Sequence, residues 1–186
     1  LAQKTFEKIT PELKETMGLV FTKGSPSCGK DPVRLYHAEK KVPLGKSKGL
    51  FAQHIEQVYP LIPKIDSGRL YDKDLRENFC SQVHCFHEFQ TMEKRPRSLV
   101  KFHEEHKFYI LQYGDKFLKK LGRICSGIDN KNIKGKWSLY EEVLFMETFK
   151  ESITVKKRTN VIEHMAGFFK KELSKIKNVS YIDNIK

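Results

Sequence analysis

Apolar positions along this 186-residue chain follow different patterns on either side of Pro96. Thr10-Pro11-Glu12 combines an N-cap residue with proline at the first helical position, and Gly18 stands where a helix would stop, which predicts a short helix. Leu19-Val20-Phe21-Thr22 then reads as a short buried strand running straight into the turn from Gly24 to Gly29, a helix–strand–loop unit of α/β type. A polar loop containing Pro43 and Gly45 follows, and Leu50, Phe51, Ile55 and Val58 space out a short helix that Pro60 ends. Leu75, Phe79, Val83 and Phe86 recur on one face and predict a longer helix from Asp72 to about Lys94.

Beyond Arg95-Pro96-Arg97 the spacing is helical throughout. Helices are expected over Ser98–Tyr113, Asp115–Cys125, Ser138 to about Lys150 and Thr159 to about Ile176, the third opened by Ser138-Leu139-Tyr140-Glu141 as a capping box. Residues 127–135 read as a polar loop. The expected fold class is therefore α/β over residues 1–96, the C-terminal part of a small α/β domain, followed by an all-α helical domain over 97–186.

Composition refines this without displacing it. Hydrophobic residues make up 39% and charged residues 31%, enough apolar material for a buried core, which argues against wholesale disorder. No apolar run approaches the ~20 residues of a bilayer span and no signal-peptide pattern is present, so the expectation is a cytoplasmic chain with no membrane partner. The formal charge of +12 is uneven: residues 1–96 carry 16 basic and 12 acidic residues, whereas residues 97–186 carry 19 and 11. A basic helical half admits a nucleic-acid or phosphate partner, while 28 Lys against 7 Arg also fits a lysine-rich proteome with no such partner.

The four cysteines, Cys28, Cys80, Cys85 and Cys125, are too few and too scattered for a secreted disulfide scaffold. Cys28 sits in Ser25-Pro26-Ser27-Cys28-Gly29, directly after a strand, where Pro26 fixes one backbone angle and Gly24 and Gly29 tolerate unusual ones. Exposed N–H groups in such a turn would lower a thiol pKa or approach an anion or cluster, while a small buried thiol in a tight turn remains the alternative.

That motif does not stand alone. With Gly49-Leu50-Phe51-Ala52, Tyr59-Pro60-Leu61-Ile62-Pro63, Gly68-Arg69-Leu70 and Leu75-Arg76-Glu77-Asn78-Phe79, it resembles the C-terminal part of the thiouracil desulfidase (TudS-like) family. The second half resembles the YbgA-like helical domain, through Leu99-Val100-Lys101-Phe102-His103, His106-Lys107, Leu121-Gly122-Arg123 and Asn160-Val161 with His164, Gly167, Phe169 and Lys170. The resemblance implies a [4Fe-4S] cluster held by three cysteines, with an open iron that takes sulfur from a small thiolated substrate such as a thiolated nucleobase. It makes Cys28 one cluster ligand and the metal-binding residue of this chain, and places Ser25 beside it as the catalytic residue. His103, His106, Asn160 and His164 mark a second candidate site in the helical half.

The family's other two cluster cysteines and its acidic catalytic residue lie upstream of the motif, and residues 1–24 contain no cysteine. With Leu1 in the first position, the expectation is an internal fragment of a longer protein, truncated also at the C-terminus of the YbgA-like domain, whose activity belongs to the parent. The alternative function is a non-enzymatic protein that binds nucleic acid or a phosphorylated ligand through its basic helical half.

Other constellations carry less. On a helix, Cys80, His84 and His87 fall near one another while Cys85 points about 140° away from Cys80, which excludes a four-ligand site within this helix but leaves a three-ligand zinc site open beside the reading as ordinary partly buried side chains. His103 and His106 are three apart, not the four of a zincin motif, and share an inward face with Leu99, Ile110 and Tyr113. His164 should look inward similarly, among Val161, Met165 and Phe168. Lys156-Lys157-Arg158, expected just before a helix, would form a phosphate patch with Lys170 and Lys171 or a solvated basic face.

Overall fold

In the computed structural model, residues 6, 8, 10–30, 33–37, 40 and 42–176 are described. The chain divides into two compact units, residues 1–92 and 93–186.

The first unit is built on a short parallel pair. Strand β1 (Leu19–Phe21) pairs with β4 (Lys64–Asp66), Leu19 opposite Lys64 and Phe21 opposite Asp66, and the crossover between them carries helix α1 (Leu50–Val58). Phe21, Ala52 and Ile55 form the buried centre, with Leu13, Leu19, Phe51 and Tyr59 against it. Pro60 cannot continue α1, and the Lys64 ammonium donates to the carbonyl of the C-cap residue Tyr59, which the helix end leaves open, and at 2.8 Å to that of Ile62 in the following turn.

Three expectations change here. The helix expected after Thr10 is only a single 3-10 turn, Thr10–Leu13, because so short a segment gains too little from its own hydrogen bonds. The polar loop around Pro43 is an antiparallel hairpin of β2 (Val33–Tyr36) and β3 (Pro43–Ser47), with a bulge between Leu35 and Tyr36. Strand β3 is mostly exposed, so no alternation of apolar and polar residues marks it, and backbone pairing alone defines it. Helix α2 (Lys73–Thr91) opens on Asp72, whose Oδ1 accepts from the Leu75 N–H at 3.0 Å. It buries Gln82, Cys85, Phe86 and Phe89, whereas Leu75 in its first turn is exposed.

Among the described residues the second unit's regular elements are all helical: α3 (Pro96–Leu111), α4 (Asp115–Cys125), α5 (Ile133–Glu142) and α6 (Val155–Ile176). Pro96 occupies the first turn of α3, where its missing N–H costs nothing. Helix α4 packs against both α3 and α5, and Leu99, Ile110, Leu121, Tyr140, Val143 and Leu144 are fully buried. Helix α5 starts five residues before the expected Ser138, which is exposed within it. The start is set instead by Asp129 and Asn132, each side chain accepting the other's backbone N–H at 2.9 Å, and Trp137 and Tyr140 form the inward stripe. After α5 the chain continues through a π turn (Val143–Glu147), where the buried Thr148 hydroxyl donates to the Val143 carbonyl at 2.9 Å.

Helix α6 begins at Val155, so Lys156, Lys157 and Arg158 lie inside its first turn and not before it. Lys157 is committed to the Glu151 carboxylate at 3.1 Å and the Ser152 carbonyl at 2.8 Å. Lys157, with Lys116, holds the Glu151 carboxyl below its ordinary range. Lys170 is exposed, and the side chain of Lys171 lies outside the described residues. His164 is also exposed, which corrects the inward placement expected for it: α6 turns Met165 and Phe168 partly to solvent as well. Among the described residues no helix is long and apolar enough to cross a membrane.

Candidate functional site

The turn after β1 is stitched together from its own hydroxyls. The Ser25 Oγ accepts the Cys28 N–H at 3.1 Å and lies 3.1 Å from the Ser27 Oγ, which in turn is 3.5 Å from the Cys28 Sγ. The Gly29 N–H donates to the Ser25 carbonyl at 2.8 Å. Ser25 and Cys28, expected to act together, are thus joined directly. The exposed N–H groups expected there are not free, however: those of Cys28 and Gly29 are already used within the turn.

A second layer of bonds fastens the turn to α1. The Gly49 and Phe51 N–H groups donate to the carbonyls of Gly29 and Ser27, both at 2.8 Å, so the cysteine turn caps a helix whose own cap residue, Gly49, offers no side chain. Two glycines make room for this approach. A Cβ on Gly29 would sit 2.7 Å from the Ser25 carbonyl oxygen, and one on Gly49 would sit 2.5 Å from the Ser27 carbonyl. Gly29 is therefore required by space, whereas Gly24 takes the left-handed φ of +69°.

Cys28 is half-buried and Cys80 exposed, while Cys85 and Cys125 are buried. Burial, reinforced by the Glu88 charge, drives the Cys85 thiol far up. Burial also pushes the Cys125 thiol up to about 11, with Lys136 opposing and Glu104 adding a little. Because the thiolate is the reactive form, iodoacetamide at about pH 8 should alkylate Cys28 and Cys80 well before Cys85 and Cys125. Peptide mass mapping reads the order, and uniform labelling would contradict the buried placement.

The four ligand-type residues on α2 separate as their helical angles require, His84 and His87 exposed with Cys80, and Cys85 buried. Among the described residues no group of three His, Cys, Asp or Glu side chains is placed to hold a metal. Among the described residues Cys28 thus belongs to no group of three ligand-type side chains, where a three-cysteine cluster needs three.

In the second unit, His103 Nδ1 lies 3.1 Å from the Tyr140 hydroxyl, a hydrogen bond that either group can donate. The His106 Nδ1–H donates to the Phe102 carbonyl at 2.9 Å, with its ring stacked on Phe102 at 4.0 Å. These are the contacts of interior histidines satisfied by neighbours. Asn160 is half-buried on α6 and His164 exposed.

Burial lowers the His103 pKa from its ordinary 6.5, against a smaller opposing effect of Glu104. Between the folded pKa and that of the unfolded chain, the unfolded state binds a proton that the folded state does not. This contribution to stability is therefore complete above about pH 6.5 and is lost as the pH falls through the folded pKa. The urea midpoint, followed by Trp137 emission, should fall between about pH 7.5 and pH 5. His103→Gln should flatten that slope, and an equal slope in the variant would exclude His103 as its source.

One polar residue of the first unit escaped the sequence reading. Asp66, at the end of β4, is only 2% exposed; its Oδ1 accepts the Gly68 N–H at 2.9 Å. The signal was the turn chemistry of Asp66-Ser67-Gly68, in which a short carboxylate bonds the backbone two residues on.

No curated protein and no solved structure matches the chain. Residues 107–186, somewhat less than half of it, match the family model described as "Protein of unknown function (DUF1722)", a family associated with YbgA-like proteins.

Proposed function

We propose that this chain is part of a [4Fe-4S]-dependent desulfidase acting on a thiolated nucleobase or a related small thio-compound. In this reading its first unit is the C-terminal part of an α/β domain and its second a YbgA-like helical accessory. The observation that carries the reading is the Ser25–Cys28 turn at the carboxyl end of β1, where Ser25 Oγ holds the Cys28 N–H, Ser27 Oγ stands beside the thiol, and the start of α1 bonds to the turn's carbonyls. Cys28 supplies one cluster ligand. When bound, such a cluster supplies a Lewis-acidic iron with affinity for sulfur. This chain's own contribution is positional: Ser25 fixes the Cys28 backbone, and Ser27, bonded to Ser25, keeps a hydroxyl beside the thiol.

Anaerobic reconstitution of the longest natural form of the protein with iron and sulfide tests this. A broad visible absorption that Cys28→Ala removes, together with sulfide release from a thiopyrimidine, is the expected result. A colourless protein that binds nucleic acid in a salt-sensitive manner would replace the reading with that of a basic binding protein.

A further inference from the structure

Parallel pairing sends β1 and β4 out of the sheet on the same edge, and the ends of such strands are where open α/β sheets place ligands. The turn carrying Ser25, Ser27 and Cys28 follows β1, and a 3-10 turn, Ser67–Tyr71, follows β4. The two turns are in contact, since the Lys23 N–H donates to the Ser67 Oγ at 3.1 Å and the Lys23 stem lies against Gly68. Asp66, the last residue of β4, stands opposite Phe21, the last of β1.

Its carboxylate is half satisfied. Oδ1 has the Gly68 N–H, whereas Oδ2 is buried and has no hydrogen-bond partner among the described residues. Neighbouring cations are engaged elsewhere: Lys30 donates to the Lys64 carbonyl at 2.6 Å, and Lys64 to the carbonyls of Tyr59 and Ile62. Lys23, whose stem crosses Gly68, has its ammonium in an exposed side chain with no ion pair to Asp66 among the described contacts. A buried acceptor left this way is costly, and an acceptor at a strand's carboxyl end points to a donor that arrives with a ligand.

We propose that Asp66 Oδ2 accepts the N–H of a small amide- or thioamide-containing ligand seated at the carboxyl ends of β1 and β4, beside the cysteine turn. The inference rests on the desulfidase reading only for its choice of probe, 2-thiouracil, a thioamide with ring N–H donors. It makes Asp66 a substrate-binding residue, separate from any cluster ligand, and restricts substrates to thio-compounds that carry an N–H.

The test is calorimetric binding of 2-thiouracil and of its 1,3-dimethyl analogue to the full chain and to Asp66→Asn. Asparagine keeps an oxygen for the Gly68 N–H and puts a donor where the free acceptor was, so the turn is preserved while the recognition is inverted. Affinity for 2-thiouracil should fall about tenfold to a hundredfold, as loss of a hydrogen bond to a charged group requires. The dimethyl analogue should bind the unsubstituted chain as weakly as 2-thiouracil binds the variant. If the variant fails to fold, as its circular dichroism would show, the comparison of the two probes on the unsubstituted chain decides alone.

Equal affinity of chain and variant, equal affinity of the two probes, or no binding of 2-thiouracil by the unsubstituted chain would each overturn the proposal. So would a strong stability coupling between Lys23→Met and Asp66→Asn with binding unaltered, because Asp66 would then be the partner of Lys23. The two readings fail separately. Asp66-dependent binding without Cys28-dependent iron–sulfur absorption removes the desulfidase and leaves Asp66, whereas that absorption with Asp66-independent binding does the reverse.

Discussion

Replacing Tyr140 with alanine is expected to destabilise the helical unit by about 3–5 kcal/mol, the range for removing a large buried aromatic. The ring is fully buried, edge-on to both Phe102 and His103, and its hydroxyl pairs with His103 Nδ1. Truncation leaves a cavity and also a half-buried imidazole without that partner. Against a typical domain stability of about 5–15 kcal/mol, the loss removes a large share of what holds the unit together. Tyr140→Phe separates the two effects: it keeps the packing and should cost only about 1 kcal/mol, the worth of the hydrogen bond. Urea unfolding reads both variants through Trp137, the one tryptophan of the chain, buried on the same helix. A similar midpoint for Tyr140→Phe and Tyr140→Ala would show that the hydrogen bond, and not packing, dominates.

Gly49→Ala is the corresponding test for the cysteine turn. Its Cβ would sit 2.5 Å from the carbonyl carbon and oxygen of Ser27 and 2.7 Å from the Gly29 nitrogen. These are backbone atoms, with no flexible side chain to yield, so the turn must move away from α1. Overpacking of this kind costs about 1–3 kcal/mol, and the bonds from Gly49 and Phe51 to Gly29 and Ser27 are the ones stretched. Amide exchange at Gly49 and Phe51 should accelerate about tenfold or more, and the alkylation rate of Cys28 should change with it. Cys80, on α2 and exposed, serves as the internal control. Unchanged exchange and alkylation would mean that the turn absorbs a methyl group and does not depend on Gly49 for its position.

The legibility of the elements follows from where their information resides. Helix α4 runs from Asp115 to Cys125, the bounds read from the chain, because Phe117, Leu121 and Ile124 mark a buried face and Gly114 and Gly127 flank it. Helices α5 and α6 began earlier than expected: the Ser138 capping box was a local pattern overruled by the burial of Trp137, and Thr154 accepts the Lys157 N–H ahead of the expected start. Strands β3 and β4 left little trace, one exposed and the other three residues long. In the candidate site the serine–cysteine turn was visible as a motif. Its attachment to α1 and the buried Asp66 were not, since both depend on partners twenty or more residues away.

What the amino-acid sequence determined by itself is the local part of this protein: a helical second half, a cysteine turn after a short strand, and a charge excess concentrated beyond Pro96. These follow from periodicity, turn chemistry and counting, each of which is contained in a few neighbouring residues. Only the tertiary structure decided which histidines face inward, that the Cys28 and Gly29 N–H groups are spent, and that a carboxylate is buried with one oxygen unpaired. The reason is that burial and hydrogen-bond satisfaction are properties of pairs: Asp66 is an ordinary turn residue until β1, forty-five positions earlier, is laid beside it.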